Sequence, residues 1–278
     1  MNPNQIQLHH HFLPSQEREK VLDEILGYKP IWENRFSESN PPPVGQSQRS
    51  LLRPVYWLGN WQFACLNYYH PPKGILNRAV LAEGYNPYLK SVVQRIEKIV
   101  HQKFLKADVP EGWCLNTCLI NYYGSKIENG KIIDAARVGE HKDFEPGPVA
   151  SLSFGERALF QFVKSHGRDQ SSEVVLQQWL SDNTLQIFAG SRYKDLYFHR
   201  VQRVEKNKFK NWPEIKIQNF ETRRINLTFR YVPNVHIKPF KDLPANLRAD
   251  INPYVEKLSE SSGFWKNQAF VMSGISKT

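Results

Sequence analysis

After Trp113 the apolar positions fall into short runs with Gly, Asn and Asp between them. The runs recur about every 8–12 residues with no helical stretch intervening, a spacing that predicts an antiparallel sandwich or jelly roll. Strands are expected over 115–123, 149–154, 158–163, 174–179, 183–188, 197–201 and 215–217. Ile127 to Ile133 reads as a hairpin, because Asn129-Gly130 between apolar flanks favours a type I′ turn. The last run, Arg224-Ile225-Asn226-Leu227-Thr228-Phe229-Arg230, alternates strictly. As a strand it sets Ile225, Leu227 and Phe229 on one face and Arg224, Asn226, Thr228 and Arg230 on the other.

Before Trp113 the period changes. Pro14-Ser15 followed by Gln16-Glu17 predicts a helix start with Ser15 as N-cap, an apolar stripe of Val21, Leu22, Ile25 and Leu26, and a stop at Gly27. A second amphipathic helix is expected from Leu89 to Lys103, with Val92, Val93, Ile96 and Val100 on one side. Between them, residues 33–50 form a polar loop around Pro41-Pro42-Pro43, too long for a simple connection. Basic Arg49 and Arg53 lead from it into the aromatic run Val55-Tyr56-Trp57, and Tyr69 and Tyr85 continue that theme. Past Val232, three prolines leave room for one short helix. The expected organisation is an N-terminal part over 1–110, a strand-rich core over 111–233 and a tail over 234–278.

Lys and Arg number 37 against 27 for Asp and Glu, a net charge of +10. A surplus of that size favours a polyanionic partner, nucleic acid before membrane. The lysines of the 203–219 segment, Lys206, Lys208 and Lys210, belong to it. Three cysteines without C-x-x-C spacing argue for a reducing compartment and against a disulfide scaffold or zinc site. With no run near the ~18 apolar residues of a membrane span, the expectation is a soluble monomer of the cytoplasm or nucleus.

His141-Lys142-Asp143 is an H-x-D unit, and in extended backbone its two side chains share a face about 6–7 Å apart. His199, in the apolar run Leu196 to Val201, can supply a third ligand. Two His and one carboxylate form the facial triad of non-haem iron(II) oxygenases, with open positions left on the ion. A 2-oxo acid commonly fills those positions, and its far carboxylate needs a fixed cation such as an Arg of 224–230.

The order Asn121-x-Tyr123, His141-x-Asp143, His199, Arg224-x-Asn226-x-Thr228-x-Arg230 resembles the AlkB-type Fe(II)/2-oxoglutarate dioxygenases over about residues 10–232. The resemblance implies an α+β fold, a double-stranded β-helix (jelly roll) with N-terminal supporting helices and a nucleotide-recognition lid. It implies Fe(II) on His141, Asp143 and His199, with O2 and 2-oxoglutarate as cosubstrates. Arg224 would hold the distal carboxylate of 2-oxoglutarate near Tyr123 and Asn226, Thr228 would line the pocket, and Asn121 and Arg230 would lie at the oxalyl end. The implied activity is removal of N-methyl groups from DNA or RNA bases as formaldehyde. Because a base cannot be oxidised inside a duplex, Tyr56, Trp57, Tyr69 and Tyr85 are expected as stacking residues and Arg49 and Arg53 as phosphate contacts. The alternatives are an oxygenase acting on a protein or small molecule and a silent binding module. Two connections, Tyr123 to His141 and His199 to Arg224, are longer than the family's.

Overall fold

The larger sheet runs β1 (Ile6–His9), β11 (Thr184–Phe188), β8 (Val149–Gly155), β13 (Phe220–Arg230), β5 (Thr117–Glu128), β2 (Val55–Gly59), with β6 (Lys131–Asp134) paired to the far end of β5. The smaller runs β10 (Glu173–Leu180), β9 (Ala158–Lys164), β12 (Phe198–Val204), β7 (Val138–His141). Neighbouring strands in both sheets are antiparallel, and both sheets line one cavity, giving the expected jelly roll. A separate hairpin pairs β3 (Phe63–His70) with β4 (Gly74–Leu81). The computed structural model describes residues 5–37, 41–59, 63–70, 74–164, 172–204, 212–237 and 242–272, without the side chains of 63–70, 74–80, 203, 204, 270 and 271. Lys206, Lys208 and Lys210 and the side chain of Tyr69 lie outside the described residues.

β13 lies in the middle of the larger sheet and divides it chemically. Ile225, Leu227 and Phe229 are fully buried and share a core cluster with Val21, Leu22 and Ile25 of α1 (Ser15–Gly27). Leu89, Val92, Ile96 and Val100 of α2 (Pro87–Lys103) complete that contact. Burying each such side chain contributes about 1.5–3 kcal/mol, so the outward face of β13 anchors the sheet to the helices. The inward face, Arg224 to Arg230, is left for the cavity.

Several expectations are corrected. Ser15 does not cap α1; the helix begins at Ser15 after Pro14, with no side-chain cap bond. α2 begins two residues early, because the Asn86 side chain accepts from the Leu89 N–H at 2.8 Å and Pro87 suits the first turn. Residues 215–217 form only an isolated bridge, Ile217 to Phe220. The loop 33–50 doubles back on itself, with Arg35 N–H donating to Arg49 O and Leu51 N–H to Glu33 O, both at 2.7 Å. The tail carries two helices rather than one, α3 (Ala245–Ser259) and α4 (Gly263–Met272). Leu247, Ile251, Val255, Leu258 and Trp265 bury themselves in the main cluster, and the Tyr254 hydroxyl accepts from Asn34 N–H at 2.6 Å.

The Asn129-Gly130 turn is as expected: both residues have positive φ, 50° and 74°, as a type I′ turn requires. Gly124 has a different role. Opposite it, β13 carries a bulge between Thr222 and Arg224, and a Cβ at Gly124 would lie 1.8 Å from the Glu221 carbonyl oxygen. Only glycine lets β13 come this close just before Arg224. Among the described residues no helix is long and apolar enough to cross a membrane.

Candidate active site

The H-x-D unit and the distal histidine meet because their strands pair. β7 and β12 are neighbours, and the register sets His141 directly opposite His199. The two rings lie 4.2 Å apart, centroid to centroid. β7 ends at His141, so Asp143 follows in a non-strand segment; its Oδ2 lies 3.5 Å from His199 Nε2. One ligand atom from each of the three residues falls within 4.8 Å of the others. The three can therefore hold one metal ion on one face, leaving other positions open.

Local contacts aim these ligands. His141 Nδ1 lies 2.8 Å from the Gly139 carbonyl oxygen, so as a donor there it leaves Nε2 free to ligate. Phe160 stacks on the His199 ring at 5.4 Å and Phe188 meets it edge-on. Burial holds the pKa of both histidines down, that of His199 well below its usual value. Burial opposes ionisation of Asp143, but Arg230, His199 and His141 outweigh it and hold the carboxyl well below the usual carboxylate range. Neutral imidazoles and an ionised carboxylate are the forms that bind a divalent metal.

Along the larger sheet, Arg53, Tyr123 and Arg224 occupy one row across three neighbouring strand paths. Arg224 pairs with Tyr123 in register, and Val55 with Asn121. The Arg224 guanidinium carbon lies 4.9 Å from the centre of the Tyr123 ring and that of Arg53 5.2 Å from it. Arg224 is 1% exposed and donates through Nη2 to Ser153 Oγ at 2.8 Å. Beyond the neighbouring Tyr123 side chain, its Nε and Nη1 have no hydrogen-bond acceptor among the described residues. A buried guanidinium with two open donors calls for a bidentate anion, which fits the distal carboxylate of a 2-oxo acid.

The other inward residues divide in use. Asn226 spends its amide on the sheet, donating to Ser151 Oγ at 2.8 Å and accepting from Thr228 Oγ1 at 2.8 Å. Arg230, expected at the oxalyl end, pairs through Nη2 with Asp143 Oδ1 at 2.7 Å. Its Nε lies 3.7 Å from Glu145 Oε2. Glu145 is a buried acid that the sequence did not single out, though it stands two residues past Asp143. Lys194 was also missed: from the π-helical turn 191–196 it donates to the Asp143 backbone carbonyl. Lys142 donates in return to the Asp195 carbonyl, so two lysines tie the H-x-D segment to the chain leading into His199.

The expected substrate contacts fare differently. In the register of β2 on β5, Tyr56 lies opposite Ile120, on the helix side of the sheet and away from the cavity. Its ring stacks on Tyr28 at 4.7 Å and its hydroxyl donates to Glu83 at 2.5 Å. Tyr85 is also a core residue, 6% exposed, with its hydroxyl on the Leu115 carbonyl at 3.2 Å. Trp57 is buried against Leu119 and donates to Glu33 at 2.9 Å. These three are corrected from stacking residues to core residues, because each aromatic face is already covered. Arg49 is exposed on the doubled-back loop, whereas Arg53 lines the cavity.

Eighteen residues surround this space, most from the two sheets with Arg53 and Asp143 from adjoining segments, including Asn121, Tyr123, His141, His199, Arg224, Asn226, Thr228 and Arg230. The donor set fits iron(II), and the open guanidinium fits 2-oxoglutarate. A search of curated proteins returns no match. Among solved structures, that of OsALKBH1 is similar at 21% identity over 83% of this chain and 99% of that one, with a TM-score of 0.47. A bsmA homologue from Methylobium petroleophilum PM1 is similar at 10% identity over 83% and 89% of the two chains, with a TM-score of 0.39. The family model for the 2OG-Fe(II) oxygenase superfamily matches residues 5–230. The chain belongs to that superfamily, whose members work with Fe(II), 2-oxoglutarate and O2.

Proposed function

We propose that the protein oxidatively removes methyl groups from ring or exocyclic nitrogens of nucleic-acid bases. One observation carries the reading: the four AlkB-type motifs, Asn121-x-Tyr123, His141-x-Asp143, His199 and Arg224-x-Asn226-x-Thr228-x-Arg230, all supply side chains to one cavity. In this reading His141, Asp143 and His199 hold iron and Arg224 holds the distal carboxylate of 2-oxoglutarate. The bound iron and cosubstrate supply the oxidising chemistry, a property of the cofactor. With both bound, that chemistry would insert one oxygen atom of O2 into a methyl C–H bond, giving C–O–H, while the other would enter succinate as 2-oxoglutarate loses CO2. The N-hydroxymethyl group then breaks its N–C bond, giving formaldehyde and the unmethylated base.

What the chain contributes is position and charge. Arg230 keeps Asp143 ionised, Phe160 and Phe188 fix the His199 ring, and the inward rows of β5 and β13 orient the cosubstrate. The net charge of +10 supports a polyanionic substrate. The boundary at about residue 110, between the supporting N-terminal part and the catalytic core, belongs to the same proposal.

A second reading, a protein or small-molecule substrate, is favoured by the burial of Tyr56, Trp57 and Tyr85. The test is formaldehyde release from a panel of methylated DNA, RNA and peptide substrates with Fe(II) and 2-oxoglutarate. Release from a methylated oligonucleotide, weakening steeply with salt, is the expected result. Turnover of 2-oxoglutarate with release only from peptides would replace the first reading with the second.

A further inference from the structure

Arg53 was expected to grip substrate phosphate, yet the side chains it touches belong to the other end of the site. Its Nε donates to Asn121 Oδ1 at 2.7 Å. Its guanidinium lies over the ring of Tyr123, the ring that Arg224 also covers. Among the described residues no carboxylate lies within hydrogen-bonding distance of Arg53, although it lines the cavity. The charges of the loaded site make the same point. Arg230 is balanced by Asp143 and Glu145, and Arg224 would be balanced by the distal carboxylate. Arg53 then remains as a second cation on the cosubstrate wall.

Its bond to Asn121 has a directional consequence. An amide whose oxygen is taken by Arg53 is fixed in one orientation and presents its N–H2 group elsewhere. We propose that Arg53, from the segment leading into β2, is a positioning residue for 2-oxoglutarate: it locks Asn121 as a hydrogen-bond donor toward the cosubstrate and adds a second positive charge beside Arg224. The inference rests on the 2-oxoglutarate assignment of Arg224 and needs no assumption about the methylated substrate. It also gives the loop 33–53 a share in cosubstrate binding, since Arg53 ends the segment that doubles back through Arg35 and Arg49.

The experiment is titration of 2-oxoglutarate into Mn(II)-loaded protein, with wild type, Arg53→Gln and Arg53→Lys compared. Thermal unfolding and methylated-oligonucleotide affinity are measured on the same samples. The expected result is about ten-fold weaker 2-oxoglutarate binding for Arg53→Gln, the loss of one charge-assisted interaction. Arg53→Lys should recover part of it, keeping the charge but not the planar fork. Oligonucleotide affinity and melting temperature should stay near wild type. Unchanged 2-oxoglutarate affinity in both variants overturns the proposal. A loss confined to oligonucleotide affinity also overturns it and returns Arg53 to the substrate. Failure of the wild type to demethylate any oligonucleotide would sink the functional reading and leave this binding result standing on its own.

Discussion

Replacing Arg224 with Met should move stability and cosubstrate affinity in opposite directions. The side chain is 1% exposed, and its protein partners are a serine hydroxyl and the Tyr123 ring, with no carboxylate among the described residues. Keeping such a charge out of water costs several kcal/mol, which neutral hydrogen bonds offset only in part. A methionine of similar length removes that cost while retaining most of the packing, so protein stripped of metal and cosubstrate should gain about 2 kcal/mol. For a chain of this size that raises the melting temperature by about 4–8 °C. The same change removes a bidentate, buried ion pair with the distal carboxylate, worth about 2–5 kcal/mol, so 2-oxoglutarate affinity should fall at least about 30-fold. Thermal unfolding of wild type and variant, with and without saturating 2-oxoglutarate and Mn(II), reads both quantities. The wild type should gain a clear stabilisation from ligand, and the variant should start higher and gain almost none. A variant that melts lower without ligand and still responds to 2-oxoglutarate would refute both the strain in the buried guanidinium and its assignment.

Three further outcomes are expected. Asp143→Ala removes one of the three proposed metal ligands and the carboxylate that Arg230 pairs with at 2.7 Å; Mn(II) binding should weaken by at least about 100-fold, and full-strength binding in a metal titration would remove Asp143 from the ligand set. Gly124→Ala drives a methyl group into the Glu221 carbonyl, so it should cost about 2–4 kcal/mol of stability and loosen 2-oxoglutarate binding, and a neutral result in denaturant unfolding would mean that β13 can move aside. Burial raises the tyrosine pKa values of the layer beneath the helices, Tyr28 to about 12 from 10.0, with Tyr56 and Tyr122 also raised. A phenol whose folded pKa lies above its unfolded one stabilises the fold fully below the unfolded value and loses that contribution as pH climbs through 10 toward 12. Circular dichroism and tyrosinate absorbance should therefore show unfolding and phenol ionisation together above pH 10; ionisation of these tyrosines in still-folded protein would contradict their burial.

The parts of the cavity whose placement was legible in the sequence are those whose information is local. Alternation assigned the two faces of 224–230, whereas Asp143 lies just past the end of β7 and reaches His199 from a non-strand segment. The pairing of His141 with His199 is not local; the sequence offered His199 only as a third ligand from a distant strand, and the β7–β12 register supplies the pairing. The aromatics failed for a physical reason: Val55-Tyr56-Trp57-Leu58 is apolar on both faces, so nothing in the run says which face meets the cavity. The β2–β5 register decides it. Glu145 escaped notice because its significance is its distance from Arg230, more than eighty residues later in the chain. The helix α3 was visible in part, since Leu247, Ile251, Val255 and Leu258 recur at helical spacing. Its internal Pro253 argued against it, and packing against the main cluster outweighed that signal.

The division of β13 into two rows also bears on how this enzyme can change. Positions 225, 227 and 229 answer to the helices, whereas 224, 226, 228 and 230 answer to the reaction. Substitutions in one row leave the other's neighbours untouched, so the two requirements can drift independently under selection. The same geometry forbids a change in length: one residue inserted between Arg224 and Arg230 would exchange the rows. One guanidinium group would then be thrust among the valines and isoleucine of α2, with an apolar side chain in the cosubstrate's place.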